Sequence, residues 1–409
     1  MLGQRPSQAT KLNAIHIFDM IKKEWTIVEN PGGVGPTPRC LSAYCVVGYK
    51  IYVFGGYQPS DTAAHAVFNG MYIFDTETLT WTHLETNGIC PDPRAGCGMW
   101  YYKEKLYLFG GSQGKQVYFG DVYSYCIETN EWRIVETRGK RGNGDFSNAV
   151  DNSNGNENSG SRPLRMCCFS CNVFENMVYI FGGLTANEEY ENQSTSNVMY
   201  ILDMETLKWN RPSYASGNSV VPPPRCSHTC QTLWPVLILA GGGNTVTKSD
   251  FDQHVYMYHL VENKWYRLTD YFFGSHFPKL IGLSSAYCIQ TKEIFFIGGK
   301  DPEDNLKYCM YCIDCQAEKL IKEKVFSSSV APYSRKSLPH KQDVQKKDTL
   351  SVNTETRGRS ISLLHRKHLE LNNEDSDCGE DSPLEESPQN IKQSRRKTLE
   401  SISKFFKIN

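Results

Sequence analysis

No apolar run in this 409-residue chain approaches the length of a membrane-crossing helix. Its start, Met1-Leu2-Gly3-Gln4, lacks the charged-then-apolar pattern of a secretory leader. An excess of either charge is also missing. The 44 Lys and Arg against 45 Asp and Glu leave a formal net charge of −1, which argues against a bulk nucleic-acid binder. The 15 cysteines are odd in number and follow no framework of fixed spacings, so a disulfide scaffold is not indicated. These absences point to a reduced cytoplasmic or nuclear protein, in which the sequon Asn192-Gln193-Ser194 is incidental. Catalytic constellations are missing too: no Ser/His/Asp set, no paired carboxylates and no phosphate-cradling glycine loop stand out. No catalytic residue, cofactor or metal is expected, and the chain reads as a non-enzyme.

What the chain does have is a repeated unit, cleanest from Pro91 to Trp132. Pro93-Arg94 punctuates a turn, Gly98 to Tyr102 is a short apolar run, and Lys103-Glu104-Lys105 turns the chain. Leu106 to Phe109 is a second run ending at Gly110-Gly111, Asp121 to Ile127 alternates as DVYSYCI, and a fourth segment carries Trp132. Short aromatic and β-branched runs bounded by Gly, Pro and Asn read as strands. Each unit is thus one small antiparallel sheet of four strands. An aromatic content of 12% suits many short buried strands.

The unit recurs in register. Double glycines end an apolar run at Gly55-Gly56, Gly110-Gly111, Gly182-Gly183, Gly241-Gly242 and Gly298-Gly299, and tryptophans follow at Trp81, Trp132, Trp209 and Trp265. A basic residue precedes each pair: Arg39, Arg94, Arg165, Arg225 and, more loosely placed, Lys279. The four arginines stand 16, 16, 17 and 16 positions before the first glycine, so the inner half of the unit has nearly fixed length. From the second glycine to the tryptophan the distance varies from 21 to 26, so the copies differ in that loop. Self-similarity at this period means stacked sheets, because one sheet cannot bury two apolar faces alone.

This pattern resembles the kelch repeat over roughly residues 11 to 315. The resemblance implies an all-β fold, a β-propeller with blades around a central channel. Four units are complete. Residues 13 to 25 hold only an outer half, and Leu280 to Ile313 hold an inner half and an aromatic strand. Fusing the ends would give five blades with two strands in competition. Six blades with an incomplete first blade is the preferred count, and a shortened start would explain it. Residues 138 to 161, rich in Gly, Asn and Ser, read as a disordered loop insertion. The propeller is expected to end near residue 317, leaving 318 to 409 as a low-complexity, mostly disordered tail. That tail has seven acids between Glu374 and Glu386 and six bases after Ile391. Leu399, Ile402 and Phe406 give 395 to 408 the stripe of an amphipathic helix that could touch an anionic membrane surface. Ser360, Ser382, Ser387 and Thr398 lie in kinase-type contexts.

Arg39, Arg94, Arg165, Arg225 and Lys279, one per unit, would form a ring at the channel mouth. Facing inward, they would suit a partner peptide with acidic residues or a free carboxylate. Facing sideways, they would brace neighbouring blades. Gln58, Asp61, His65, Gln113, Lys115, Asn244, Lys248 and Lys300 lie in the variable loops beside them. Kelch propellers that serve as substrate receptors of ubiquitin ligases bind peptides on such a face. The resemblance therefore implies a protein-binding module, with cullin-type machinery or a cytoskeletal or signalling scaffold as the two settings; a propeller enzyme ranks behind both. No BTB or F-box module is recognisable in the chain. Cys309, Cys312 and Cys315 form C-x2-C-x2-C, but strand alternation turns Cys312 away from the other two, so all three read as small core residues. Cys167, Cys168 and Cys171 read the same way, and His228 reads as a hydrogen-bonded structural residue.

Overall fold

Leu106 and Leu108 point to one face of their strand while Tyr107 and Phe109 point to the other, and both faces are apolar. A sheet with two apolar faces needs a neighbour on each side. In the computed structural model Leu106 and Leu108 pack on the sheet before, and Tyr107 and Phe109 on the sheet after. Repeated along the chain, this stacking builds the propeller. The structure describes residues 14–58, 66–114, 117–139, 161–186, 193–214, 219–244, 251–268, 277–307, 310–315 and 331–333.

Blade one is a two-stranded hairpin, β1 (Ile15–Asp19) and β2 (Glu24–Val28). Blade two runs through Ala43–Val47, Lys50–Phe54, Met71–Asp75 and Thr80–Leu84, each strand antiparallel to the last. Blade three repeats this with Gly98–Tyr102, Lys105–Phe109, Val122–Cys126 and Glu131–Val135. Blade four uses Ser170–Phe174, Met177–Phe181, Met199–Asp203 and Lys208–Asn210, and blade five Thr229–Leu233, Val236–Ala240, Val255–His259 and Lys264–Arg267. Blade six has Ile281–Cys288, Glu293–Lys300 and Met310–Asp314, with a fourth strand at Ala331–Tyr333. That fourth strand lies beyond residue 317, so the sheet reaches past the boundary that composition suggested. The architecture is a six-bladed β-propeller in which the described residues of the first blade form only its outer two strands.

The innermost strands of blades two to six stand side by side in chain order. Connecting segments protect the outer edges: Gly32–Gly33 runs parallel to Thr80-Trp81, and Asn87–Gly88 parallel to Glu131-Trp132. An open strand edge invites pairing with another chain, and these connectors cover it. The ends meet where Phe18 and Met20 of blade one pack on Cys288, Phe295, Met310 and Cys312 of blade six. Phe18 and Phe295 lie 5.5 Å apart, and Lys23 pairs with Glu293 at 3.0 Å.

The turn between third and fourth strands has its own device. Asp19, Asp75 and Asp203 each accept two backbone N–H groups from the residues two and three positions on. This satisfies the turn's donors locally, as an Asx side chain can. In blade five His259 Nδ1 accepts the N–H of Glu262 instead.

Candidate functional site

Four of the five double glycines mark where one blade meets the next. Gly56 N–H donates to the Arg94 carbonyl, Gly111 to Met166, Gly183 to Arg225 and Gly242 to Leu280. A Cβ on Gly55 would sit 2.4 Å from the Arg94 carbonyl oxygen, and its φ of +67° lies in the left-handed region, so only glycine fits there. These bonds identify Arg94, Met166, Arg225 and Leu280 as equivalent stations, and Arg39 joins them through the same 16-residue spacing and the same NH1 bond to the first glycine's carbonyl. Arg165 and Lys279 lie one residue earlier, and Lys279 is exposed. The 17-residue spacing at Arg165 was the signal: Met166 restores 16. The ring of five cations is therefore not formed.

The three arginines that do share a station act as braces. Arg94 Nε donates to the Asp92 carbonyl and NH1 to the Gly110 carbonyl; Arg225 does the same with Pro223 and Gly241. Both are fully buried. Arg94 pairs with Asp121 at 2.6 Å, and Arg225 with Asp252. Burial works against the Asp252 charge, but the Arg225 guanidinium and the hydrogen bonds from Arg225 and His254 hold its carboxyl below the ordinary range. The two guanidinium groups also lie against Tyr123 and Tyr256. With their donors and charge committed inside the blade, neither is available to a ligand at the mouth.

Arg39 differs. It repeats the brace, with Nε to the Thr37 carbonyl and NH1 to the Gly55 carbonyl, and its guanidinium lies 3.8 Å over Phe68. Among the described residues no carboxylate pairs with it: Gly70 stands where blade three has Asp121, and Phe68 where blade five has Asp252. Partial burial pushes the guanidinium's pKa down. Arg39 opens onto a cleft of about 440 Å3 between blades one and two, lined also by Ile15, Glu29, Ser42, Val53 and Trp81.

The cleft exists because one repeated contact is not made there. Phe54 packs on Trp132 at 5.3 Å, Phe109 on Trp209 at 5.2 Å and Phe181 on Trp265 at 4.9 Å, each phenylalanine reaching from the end of a second strand to the tryptophan of the next blade. Those three tryptophans are fully buried, whereas Trp81 is only half-buried. A second series runs around the channel: Gly96 N–H donates to Leu41, Cys168 to Gly96, Ser227 to Cys168 and Gly282 to Ser227. All five residues have a φ between 54° and 67°. Among the described residues this ring is open between Gly282 C=O and Leu41 N–H.

The family model described as the KLHDC2/KLHL20/DRC7 Kelch-repeats domain matches residues 3–155 and 145–299. The chain belongs to this kelch-repeat family. It is similar to human Kelch domain-containing protein 1, at 26% identity over 60% of this chain and 57% of that protein. Kelch domain-containing protein 10 of the rat is 24% identical over 66% of this chain and 62% of its own length. A sulfolyase of Thlaspi arvense, N-(sulfonatooxy)prop-2-enimidothioate sulfolyase, is 34% identical over 40% of this chain and 41% of that protein. The chain thus spans less than two thirds of each of these relatives. Kelch-repeat domains are generally protein-interaction modules, and kelch domain-containing relatives are generally non-enzymatic.

The remaining candidates of this kelch chain are packing residues. Cys312 belongs to the core between blades six and one, and Cys315 to the core between five and six, on opposite sides of the sheet. Burial pushes the Cys312 thiol up to about 12, and Cys315 in the same direction. Cys167 is buried, with Cys168 half-buried beside it. His228 is buried at the station held by Phe169 in blade four and Leu283 in blade six, 5.6 Å from the Phe181 ring. Neither ring nitrogen has a hydrogen-bond partner of good geometry among the described residues, although the Phe181 backbone lies close enough to favour the protonated ring. Burial first, then the nearby Arg225 charge, lowers its pKa to about 3, so it is neutral.

Gln58, Gln113, Asn244 and Lys300 follow their double glycines at one end of the propeller. Asp61, His65, Lys115, Lys248, Cys309, Ser360, Ser382, Ser387 and Thr398 lie outside the described residues, as do 140–160 of the loop insertion and the 395–408 segment.

Proposed function

We propose that this chain is a non-enzymatic recognition module that binds a partner peptide at the cleft between blades one and two. The partner places an acidic side chain or a free carboxylate on Arg39. One observation carries the reading: Arg39 shares the brace of Arg94 and Arg225 but has no carboxylate among the described residues, and it faces a cleft. A guanidinium in that position suits bidentate carboxylate recognition. Glu29 on the opposite wall disfavours a peptide carrying only negative charge. The biological setting we favour is substrate recognition for a cullin-type ubiquitin ligase, with a scaffold role as the second reading.

An array of peptides differing only in an acidic side chain, a free C-terminal carboxylate or an amide tests the chemistry. Carboxylate peptides should bind, and Arg39→Gln should weaken them by about 2–5 kcal/mol, the usual cost of truncating one partner of a desolvated charge pair. Equal binding of amide and carboxylate forms would remove the Arg39 reading. Reconstitution with purified cullin–adaptor complexes separates the settings: comigration favours the ligase, and its failure leaves the scaffold.

A further inference from the structure

Blade four places two cysteines, Cys167 and Cys168, side by side at the channel. Cys167 occupies the position of Cys40 in blade two and Cys226 in blade five, one residue past the station. The Cys40 and Cys226 thiols donate across their strand pairs to the Tyr57 and Gly243 carbonyls, at 3.5 and 3.7 Å. The Cys167 thiol faces its neighbour: it hydrogen-bonds with the Cys168 sulfur and with the Ser112 hydroxyl of blade three.

Cys168 is held from both sides. Its backbone is a link of the ring around the channel, with its N–H on the Gly96 carbonyl and its C=O receiving Ser227 N–H. Its φ of +55° is left-handed, an uncommon conformation for a residue with a side chain. The sulfur rests over Gly96, where a Cβ would lie 2.9 Å from it, and the Ser227 hydroxyl donates to it. Both cysteines are free thiols, Cys168 half-buried and Cys167 buried. The hydrogen bond from Cys167, opposed by burial and joined by that from Ser227, holds the Cys168 thiol below its ordinary range. The same bond, with burial, pushes Cys167 well above it. An ionised sulfur beside a retained thiol is the pairing of an attacking and a resolving cysteine.

We infer that Cys167 and Cys168 are a modification site, a dithiol that hydrogen peroxide oxidises reversibly to a disulfide between the two. The Cys168 thiolate attacks one peroxide oxygen. The O–O bond breaks, hydroxide leaves and takes up a proton to become water, and the sulfur is oxidised to a sulfenic acid. The Cys167 sulfur then attacks the Cys168 sulfur. The S–S bond forms as the S–O bond breaks, and the hydroxyl departs as a second water with the Cys167 proton. Two thiols are thus oxidised by two electrons while the peroxide is reduced to water. Consecutive Cα atoms stand about 3.8 Å apart across a trans peptide, below the roughly 4.4–6.8 Å of ordinary disulfides. The bond is therefore easily reduced, which suits a reversible switch and not a permanent brace. This site is separate from the Arg39 cleft and does not depend on what that cleft binds.

The test uses the reduced full chain, a few equivalents of hydrogen peroxide at neutral pH, and peptide mapping by mass spectrometry after the remaining thiols are alkylated. Cleavage after Phe169 separates the pair from Cys171. The peptide with Cys167 and Cys168 should be unalkylated and lighter by two hydrogens, and dithiothreitol should restore both thiols. Cys168 should be consumed at least about threefold faster than the exposed Cys90, since an ordinary thiol is only slightly ionised at that pH. In Cys167→Ser the sulfenic acid has no resolving partner. Dimedone should then trap it at Cys168 at least about tenfold more than in the unaltered chain. Oxidation of Cys90 ahead of Cys168, a bond from either cysteine to Cys97 or Cys226, or equal dimedone trapping in both chains would each overturn the inference. The map of the unaltered chain decides the bond even where the variant melts early.

Discussion

At the residue scale, the arginines show how much a single position decides. Arg225 is buried with Asp252, and removing one partner leaves the other charge buried alone. Arg225→Ala is expected to lower stability by about 3–5 kcal/mol, read by urea unfolding. Blade four shows the alternative, with Met166 at the station and Val198 and Ser196 where the acids would stand. Arg94→Met combined with Asp121→Val should therefore be less destabilising than Arg94→Met alone. A double-mutant cycle with no coupling would contradict the brace. The sequence displayed the arginines plainly, but not their direction. Burial and pairing depend on neighbours more than twenty positions away, and only the one-residue excess at Arg165 hinted that the series was broken.

His228 provides the pH dependence. Its folded pKa is lowered to about 3 from an ordinary 6.5, so the unfolded chain takes up the proton first. The contribution of neutral His228 is complete above pH 6.5 and is lost as pH falls from there toward 3. The slope approaches about 1.4 kcal/mol per pH unit inside that window. Replacing His228 with Leu, the residue of the blade-six station, should flatten the acid limb of a stability–pH profile measured by chemical denaturation. An unchanged limb would mean that other groups carry it.

At the scale of strands and turns, the glycine pairs and tryptophans were legible because each has a steric or packing role that no other residue fills. The phenylalanine before Gly-Gly at Phe54, Phe109 and Phe181 was equally visible as a repeat, but its partner across the blade boundary was not. Trp209 packs on Phe109 and its Nε1 donates to Thr137 at 3.0 Å. Trp209→Ala is expected to cost about 3–5 kcal/mol in a melting experiment, the usual range for a buried tryptophan. Asp203, six residues before Trp209, caps its turn from the surface, so Asp203→Ala should cost only about 1 kcal/mol. The same six-residue offset holds for Asp19 and Trp25 and for Asp75 and Trp81, a regularity that marks the turn as firmly as the glycines mark the blade end.

At the scale of the whole molecule, the repeat count gave six blades and a short first blade because blades are counted by their signatures. What the count could not give is the consequence of the missing half. Among the described residues, the headless unit of the sequence becomes, in three dimensions, a β1 strand with one partner, an exposed face on blade two and a ring of backbone hydrogen bonds open in one place. These follow from closure around an axis, which has no local sequence signal. Nor was the fourth strand of blade six legible, since Ala331–Tyr333 lies in a stretch whose composition matches the tail.

The central claim is that, among the described residues, the backbone ring around the channel is open between blades six and two, and that a partner is received at the adjoining cleft between blades one and two. Amide hydrogen exchange on the isolated full chain, resolved to single residues by NMR, tests it most directly. The account predicts slow exchange at Gly96, Cys168, Ser227 and Gly282, whose N–H groups are bonded around the channel, and fast exchange at Leu41. Protection of Leu41 equal to that of the other four would mean that the ring is closed in the free protein and would contradict the account.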